Sequence, residues 1–153
     1  MDLHSETPWT RPHHVCLVVS DLARTEALLV ALGIGPWRDY PPLTDYVERS
    51  VADEAGFLAL RYRIADLGPL ELQLVEPGEG RSPQRDMLER QGPGVFSLGF
   101  EVDGLGPAER SLLEAGLRVL MRGRRDDGSG FTYFDTLDEL GVSIIVRKAA
   151  GSS

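Results

Sequence analysis

Apolar and polar residues alternate in several short runs of the chain, and each run predicts a β-strand. The first run covers residues 14–19, where apolar and β-branched side chains dominate. Two further runs, residues 57–65 and 70–75, flank Gly68-Pro69, which predicts a hairpin turn between them. Four more strands are predicted in the rest of the chain, over residues 95–102, 117–121, 131–135 and 142–147.

Leucines at helical spacing, together with capping residues, predict helices between these strands. The first helix lies between Asp21, a residue that favours the N-cap, and Gly33, which suits a helix end. A short linking helix is predicted between Ser82 and Gly92, and a third helix over residues 107–116. Each half of the chain therefore has the order β-α-β-β-β, with the second strand of the first half poorly marked because prolines interrupt it.

The two halves also repeat each other in sequence. Residues 13–22 align without gaps with residues 96–105, and Ser97 matches His14 at an offset of 83 residues. An internal repeat dictates architecture, and two like halves leave a natural cavity where they face each other. We therefore predict an α+β fold in which two tandem βαβββ modules form a curved, cupped mixed sheet around a central cavity. The modules, at about 13–76 and 95–147, form a single domain over residues 1–153, joined by a linker (77–94).

Strand parity assigns a face to each polar residue, because residues two apart in a strand share a face. On the strand at 70–75 the leucines form one face, which should pack on a helix, so that Glu71 and Gln73 face the hollow side of the sheet. The predicted polar and lining set on that side is His14, Glu71, Gln73, Ser97, Glu101, Tyr133, Ser143 and Ile145. A solvated outer face for Glu71 and an inert, hydrogen-bonded His14 remain open alternatives.

The composition narrows the function classes. The formal net charge of −8 argues against nucleic acid as a partner. The single cysteine, Cys16, excludes an internal disulfide, and the sequence has neither an apolar run of membrane-spanning length nor a secretory signal. We expect a cytoplasmic protein that acts on a small molecule without membrane contact, and a homodimer that covers exposed sheet edges.

Several local motifs carry a resemblance to a known superfamily. The motifs are His13-His14-Val15 and residues 33–37, 72–77 and 133–136, in this order within the duplicated βαβββ pattern. The chain resembles the vicinal oxygen chelate superfamily, which includes glyoxalases, extradiol dioxygenases, bleomycin resistance proteins and methylmalonyl-CoA epimerase. It is most similar to the epimerase-like branch, and the resemblance extends from about His13 to Arg147.

The resemblance implies a divalent metal held by four side chains, one from the first and one from the last strand of each half. Carried over by position, the ligands are His14, Gln73, Ser97 and Ile145. Relatives usually have histidine and glutamate at the last two positions, so only two ligands remain, and neither is anionic. We therefore expect no cofactor, while weak binding of a divalent metal by His14 and Gln73 stays open.

A hollow without metal still supports proton transfer. In this hypothesis His14 is the general acid or base, Gln73, Ser97 and Tyr133 stabilise an oxyanion, and Glu71 is a second proton carrier. The substrate pocket is predicted to include Trp37, Tyr40, Glu101 and Ile145. The reactions this favours are isomerisation, epimerisation, cyclisation or elimination on a carbonyl compound.

Two other functions remain open at this point. A protein that sequesters a small molecule would use the aromatic side chains for stacking. A divalent-metal-dependent epimerase or glyoxalase-like lyase would require a complete metal site. We favour the enzyme without metal, because a pure binder has no need to keep both His14 and Gln73 facing a cavity.

Overall fold

A computed structural model describes residues 8–151 of the chain. The contacts divide these residues into two compact units whose segments interleave in sequence. The first unit comprises residues 14–44 and 52–97, and the second comprises residues 8–13, 45–51 and 98–151. Residues 45–51 thus belong to the second unit although they lie within the first repeat.

The described residues form nine strands and five α-helices. The strands are β1 (Pro12–Val18), β2 (Arg38–Asp39), β3 (Glu48–Ser50), β4 (Arg61–Leu67), β5 (Leu70–Glu76), β6 (Gly94–Glu101), β7 (Val119–Arg124), β8 (Gly130–Phe134) and β9 (Ser143–Lys148). The α-helices are α1 (Leu22–Ala31), α2 (Glu54–Leu58), α3 (Pro83–Gln91), α4 (Leu105–Glu114) and α5 (Leu137–Leu140). The predicted α+β fold class is confirmed. Within residues 8–151, no helix combines the length and the apolar character that a bilayer crossing requires.

The first unit is built on the strand order β2-β4-β5-β1. Strands β4 and β5 form the predicted antiparallel hairpin, while β1 pairs with β5 in parallel, so the sheet is mixed. Helix α1 covers one face: Val19, Leu22 and Leu74 form a buried cluster there. The leucine face of β5 therefore packs on a helix, as strand parity predicted. The predicted cap is also present, since the Asp21 carboxylate accepts a hydrogen bond from the Arg24 amide at 3.0 Å.

The second unit follows the strand order β6-β9-β8-β7-β3. Val102, Leu105, Phe134 and Val146 form its buried cluster, against which α4 packs. The edge strand β3 comes from the first half of the sequence and pairs with β7 in antiparallel register, with Arg49 opposite Gly123. The sequence analysis did not predict this pairing.

Some predicted element boundaries were wrong. Residues 57–60, predicted as the start of a strand, lie in and after α2, whose N-cap Asp53 accepts a hydrogen bond from the Ala55 amide at 3.2 Å. The second strand of the first half, poorly marked in the sequence because of its prolines, is the two-residue strand β2, in which Arg38 pairs with Ile64. Helix α4 begins at Leu105, two residues before the predicted start.

Candidate active site

Three polar residues of the first unit share the sheet face that points away from α1. In the parallel register of β1 and β5, His14 lies opposite Glu71 and Cys16 lies opposite Gln73. Since alternate residues share a face, His14, Glu71 and Gln73 occupy the same one. We call this the His14 face. It is the face opposite Leu72 and Leu74, as the alternation along β5 requires.

His14 and Gln73 are both buried, with 5% of each residue exposed. Burying an imidazole and an amide costs free energy unless their polar atoms find partners. The backbone that carries Gln73 is fixed by hydrogen bonds on both sides, because β5 lies between β1 and β4 in the sheet. The paired strands therefore hold both buried polar groups in defined positions on the His14 face.

Glu71 fixes the orientation of the Gln73 amide. The Gln73 Nε2 group donates a hydrogen bond to Glu71 Oε1 at 3.0 Å. Because an ionised carboxylate only accepts hydrogen bonds, this contact assigns the amide nitrogen to the Glu71 side. Arg38 in turn donates from Nη2 to Glu71 Oε2 at 3.1 Å and to Asp66 Oδ1 at 3.2 Å. Arg38 was missed in the sequence because it follows a proline-rich loop with no periodic pattern.

Cys16 and Ser97 are fully buried in the first unit. Burial raises the pKa of the Cys16 thiol from about 9 to about 12, and a hydrogen bond with Ser97 opposes part of that rise. The thiol is thus protonated at neutral pH, where it is a poor nucleophile. Ser97, which the sequence aligned with His14, lies close enough to this thiol to influence its pKa.

The other predicted site residues lie in the second unit. Ile145 is 1% exposed, and Tyr133 makes an edge-on contact with Phe131 at 5.1 Å between ring centres. Glu101 accepts a hydrogen bond from Arg147 Nη1 at 2.7 Å. Ser143 Oγ donates to the Phe134 carbonyl at 2.8 Å. Apart from Glu101, these groups serve chiefly the packing of the second unit.

Trp37 requires a correction. The residue packs against the cluster of Val19, Leu22 and Leu74, on the α1 side of the sheet. Its indole Nε1 donates to the Ile34 carbonyl at 2.9 Å, which anchors the ring there. Trp37 therefore does not lie on the His14 face, because its loop places the ring between the sheet and α1.

Tyr40 has a different environment. Its ring stacks on that of Tyr62 with 4.7 Å between ring centres and 28° between ring planes. Both rings line a cavity of about 600 Å³ in the first unit. Tyr62 lies opposite Val75 in the β4–β5 register and so shares the parity of Gln73. Tyr40 was predicted as a pocket residue from the sequence, whereas Tyr62 was not.

The divalent metal that the resemblance implies does not fit the residues present. Within residues 8–151, no group of three or more histidine, cysteine, aspartate or glutamate side chains has metal-binding geometry. At the four positions that relatives use, His14 and Gln73 offer one nitrogen and one amide oxygen, while Ile145 offers no donor atom. Ser97 is a neutral hydroxyl engaged with Cys16. This donor set lacks the charge and the number of ligands that divalent metals prefer.

Comparison with known proteins agrees with this architecture. Residues 13–134 match the Glyoxalase/Bleomycin resistance protein/Dioxygenase superfamily, and the chain belongs to it. A search of curated proteins finds no match.

Solved structures share the fold at low sequence identity. Methylmalonyl-CoA epimerase from Mycobacterium tuberculosis is 23% identical, with a TM-score of 0.66 over 92% of this chain and 89% of that one. A variant of the Streptomyces coelicolor epimerase in complex with 2-nitronate-propionyl-CoA is 23% identical, with a TM-score of 0.67 over 92% and 98%. A hypothetical protein from Bacillus halodurans is 14% identical, with a TM-score of 0.69 over 94% and 96%. At these identities the likeness establishes the fold alone.

Proposed function

We propose that the chain is a small-molecule enzyme that transfers a proton on a carbonyl compound, with His14 as the general acid or base and without a metal. The observation that carries the proposal is the arrangement on the His14 face, where a buried imidazole shares a surface with an amide that Glu71 holds in one orientation. Isomerisation, epimerisation, cyclisation and elimination all begin with such a proton transfer.

The chemistry needs a base and a group that stabilises the developing oxyanion. Histidine is the side chain whose ordinary charge change lies nearest to neutral pH, so His14 suits removal of a proton next to a carbonyl group. Gln73 has a second N–H besides the one donated to Glu71, and we assign it to the substrate oxygen. Hydrogen-bond donation to the oxyanion by Ser97 and Tyr133 stays a prediction from the sequence.

Glu71 is better suited to orient Gln73 than to carry a proton. Its carboxylate accepts a hydrogen bond from Gln73 at Oε1 and another from Arg38 at Oε2. Both carboxylate oxygens are therefore engaged by neighbouring side chains. In this proposal His14 performs the proton transfer, and Glu71 is a positioning residue.

The comparisons lend general support to this class of reaction. Solved epimerases with the same fold include one bound to 2-nitronate-propionyl-CoA. Epimerisation is itself a proton removal and return next to a carbonyl group. The expectations of a homodimer and of a cytoplasmic location stay predictions.

The test is exchange of the proton next to a carbonyl group, followed by ¹H NMR in D₂O. The full chain is incubated with a panel that contains propionyl-CoA and uncharged aryl ketones. We expect exchange with at least one member, and a loss of about 10²- to 10⁴-fold in His14→Ala, which is the usual contribution of a general base.

His13→Ala is the matched control. It removes the neighbouring imidazole, whose ring contacts Arg147 in the second unit, and it should retain most of the exchange activity. Equal loss in both variants would count against a specific role for His14. No exchange with any compound in the panel would contradict the proposal.

A second candidate is sequestration of a small molecule without turnover. The cavity lined by the stacked Tyr40 and Tyr62 rings favours it, because aromatic surfaces bind flat ligands without chemistry. The same panel separates the two functions: a sequestering protein binds a compound tightly but leaves its exchange rate at the uncatalysed value.

A further inference from the structure

We infer that the substrate carries an uncharged, flat, apolar group that packs in the tyrosine-lined cavity of the first unit, and that it is not a coenzyme A thioester. This inference rests on the proposed function for the reacting end of the substrate. It adds the chemical class of the remainder, which the fold and the comparisons do not supply.

The lining of the cavity carries the argument. Its walls are formed by two tyrosines, two prolines, three leucines, one threonine and one aspartate: Asp39, Tyr40, Pro41, Pro42, Leu43, Thr44, Leu58, Leu60 and Tyr62. A volume of about 600 Å³ lies within the range of small-molecule sites. Aromatic rings and proline rings are rigid, so they offer a preformed apolar surface at little cost in conformational entropy.

The position of the cavity links it to the polar residues. Tyr62 lies opposite Val75, and Gln73 is two residues further along β5 on the same face. Diagonal neighbours of this kind on adjacent strands lie about 7–8 Å apart, within reach of aromatic and long side chains. In this inference the ligand contacts the tyrosines while its carbonyl group lies beside Gln73.

The charges around the cavity exclude a polyphosphate ligand. None of the lining residues is lysine or arginine, and the one charged side chain among them, Asp39, is acidic. Two arginines near it are already paired: Arg63 with Glu26 and Asp39, and Arg38 with Asp66 and Glu71. Arg63 also lies on the opposite face from Tyr62 by strand parity. Asp39 lies opposite Arg63 and pairs with it, so its carboxylate belongs to that other face as well. Phosphate groups bound in the cavity would therefore meet no cation from the lining.

The experiment measures binding of two probes to the full chain by isothermal titration calorimetry. The probes are 1-indanone, a flat uncharged aryl ketone, and propionyl-CoA. We expect 1-indanone to bind more tightly than propionyl-CoA, and Tyr62→Ala to weaken its binding about tenfold through loss of the stacked ring. Tyr62→Phe keeps the ring and should bind within about twofold of the unaltered chain.

Trp9→Ala is the control for loss of an aromatic side chain elsewhere, since Trp9 packs on Phe100 in the second unit. Tighter binding of propionyl-CoA, absence of 1-indanone binding, or equal binding by Tyr62→Ala and the unaltered chain would overturn the inference. If the tyrosines govern binding but no proton exchange occurs, the proposed reaction fails while the ligand class stands.

Discussion

The two strand pairs β1–β5 and β6–β9 have the same framework and opposite chemistry. In the first, the Val19 amide donates to the Val75 carbonyl at 2.9 Å; in the second, the Val102 amide donates to the Arg147 carbonyl at 2.9 Å. These bonds set the positional equivalences: His14 corresponds to Ser97, Glu71 to Ser143, and Gln73 to Ile145. The first pair carries an imidazole, a carboxylate and an amide, and the second carries two hydroxyls and a hydrocarbon.

The difference shows how a duplicated framework can divide its tasks. In the second pair the Ser143 hydroxyl is satisfied by a backbone carbonyl, and Ile145 is almost fully buried. Both side chains therefore stabilise the second unit. In the first pair Gln73 donates a hydrogen bond to Glu71, and Glu71 accepts a second one from Arg38 on the neighbouring strand β2. The first pair thus presents connected polar groups, whereas the second pair forms part of the core of its unit.

The largest expected effects come from truncating the two equivalent residues Ile145 and Gln73. Ile145→Ala should lower the free energy of unfolding by about 2–5 kcal/mol, because it removes a buried aliphatic side chain and leaves a cavity. Gln73→Ala should lower it by about 1 kcal/mol, the usual worth of one hydrogen bond, yet reduce proton exchange severely. Urea denaturation followed by circular dichroism measures the first quantity, and NMR exchange measures the second.

Ile145→Val is the control for the packing effect and should cost only about 0.5–1.5 kcal/mol. The division of roles between Ile145 and Gln73 would be contradicted if Gln73→Ala lowered the free energy of unfolding more than Ile145→Ala. It would also be contradicted if Ile145→Val abolished proton exchange while the protein remained fully folded.

A smaller effect is expected at Glu71. Glu71→Gln removes the negative charge that orients Gln73 and pairs with Arg38, and should lower the exchange rate about tenfold, or about 1.4 kcal/mol in activation free energy. Asp66→Asn is the matched control, since Asp66 also accepts a hydrogen bond from Arg38 but does not contact Gln73. Restoration of the rate by Glu71→Asp would support the orienting role, whereas a full rate in Glu71→Gln would refute it.

The smallest effect concerns Cys16, whose equivalent in the second pair, Gly99, has no titrating group. Burial raises the pKa of the Cys16 thiol from about 9 to about 12, so the folded chain keeps its proton in that interval while the unfolded chain loses it. Stability should therefore be unaffected below pH 9 and fall above it. Between pH 9 and 10 the loss is roughly 1 kcal/mol or less.

Urea unfolding at pH 8 and pH 10 measures this loss. The Cys16→Ala variant should show a smaller difference between the two pH values than the unaltered chain. Equal pH dependence in both would show that the thiol titrates in the fold as it does in the unfolded chain.

Local signals in the sequence were sufficient for much of the fold and for the His14 face. The Asp21 and Ser82 caps depend on contacts three residues away, which the sequence displays directly. The shared face of His14, Glu71 and Gln73 follows from alternation along two strands and from the leucines that must pack on α1. These features depend on neighbours in sequence or on a single helix-facing surface.

Features that depend on distant partners were not predictable in the same way. The pairing of β3 with β7 joins residues far apart in sequence, and three residues are too few for a recognisable alternation. The direction of the Trp37 ring depends on how a loop crosses the sheet, which residue type does not determine. Tyr62 was assigned to the correct strand, but its stacking on Tyr40 needed the β2–β4 register.

The most direct test of the account is proton exchange by protein that has been dialysed against a chelator and shown by elemental analysis to be free of divalent metals. We expect the metal-free chain to exchange the proton next to a ketone as fast as the untreated chain. The metal-free His14→Ala variant should exchange it far more slowly. Loss of exchange on chelation, with recovery on adding cobalt, nickel or zinc in stoichiometric amount, would contradict it.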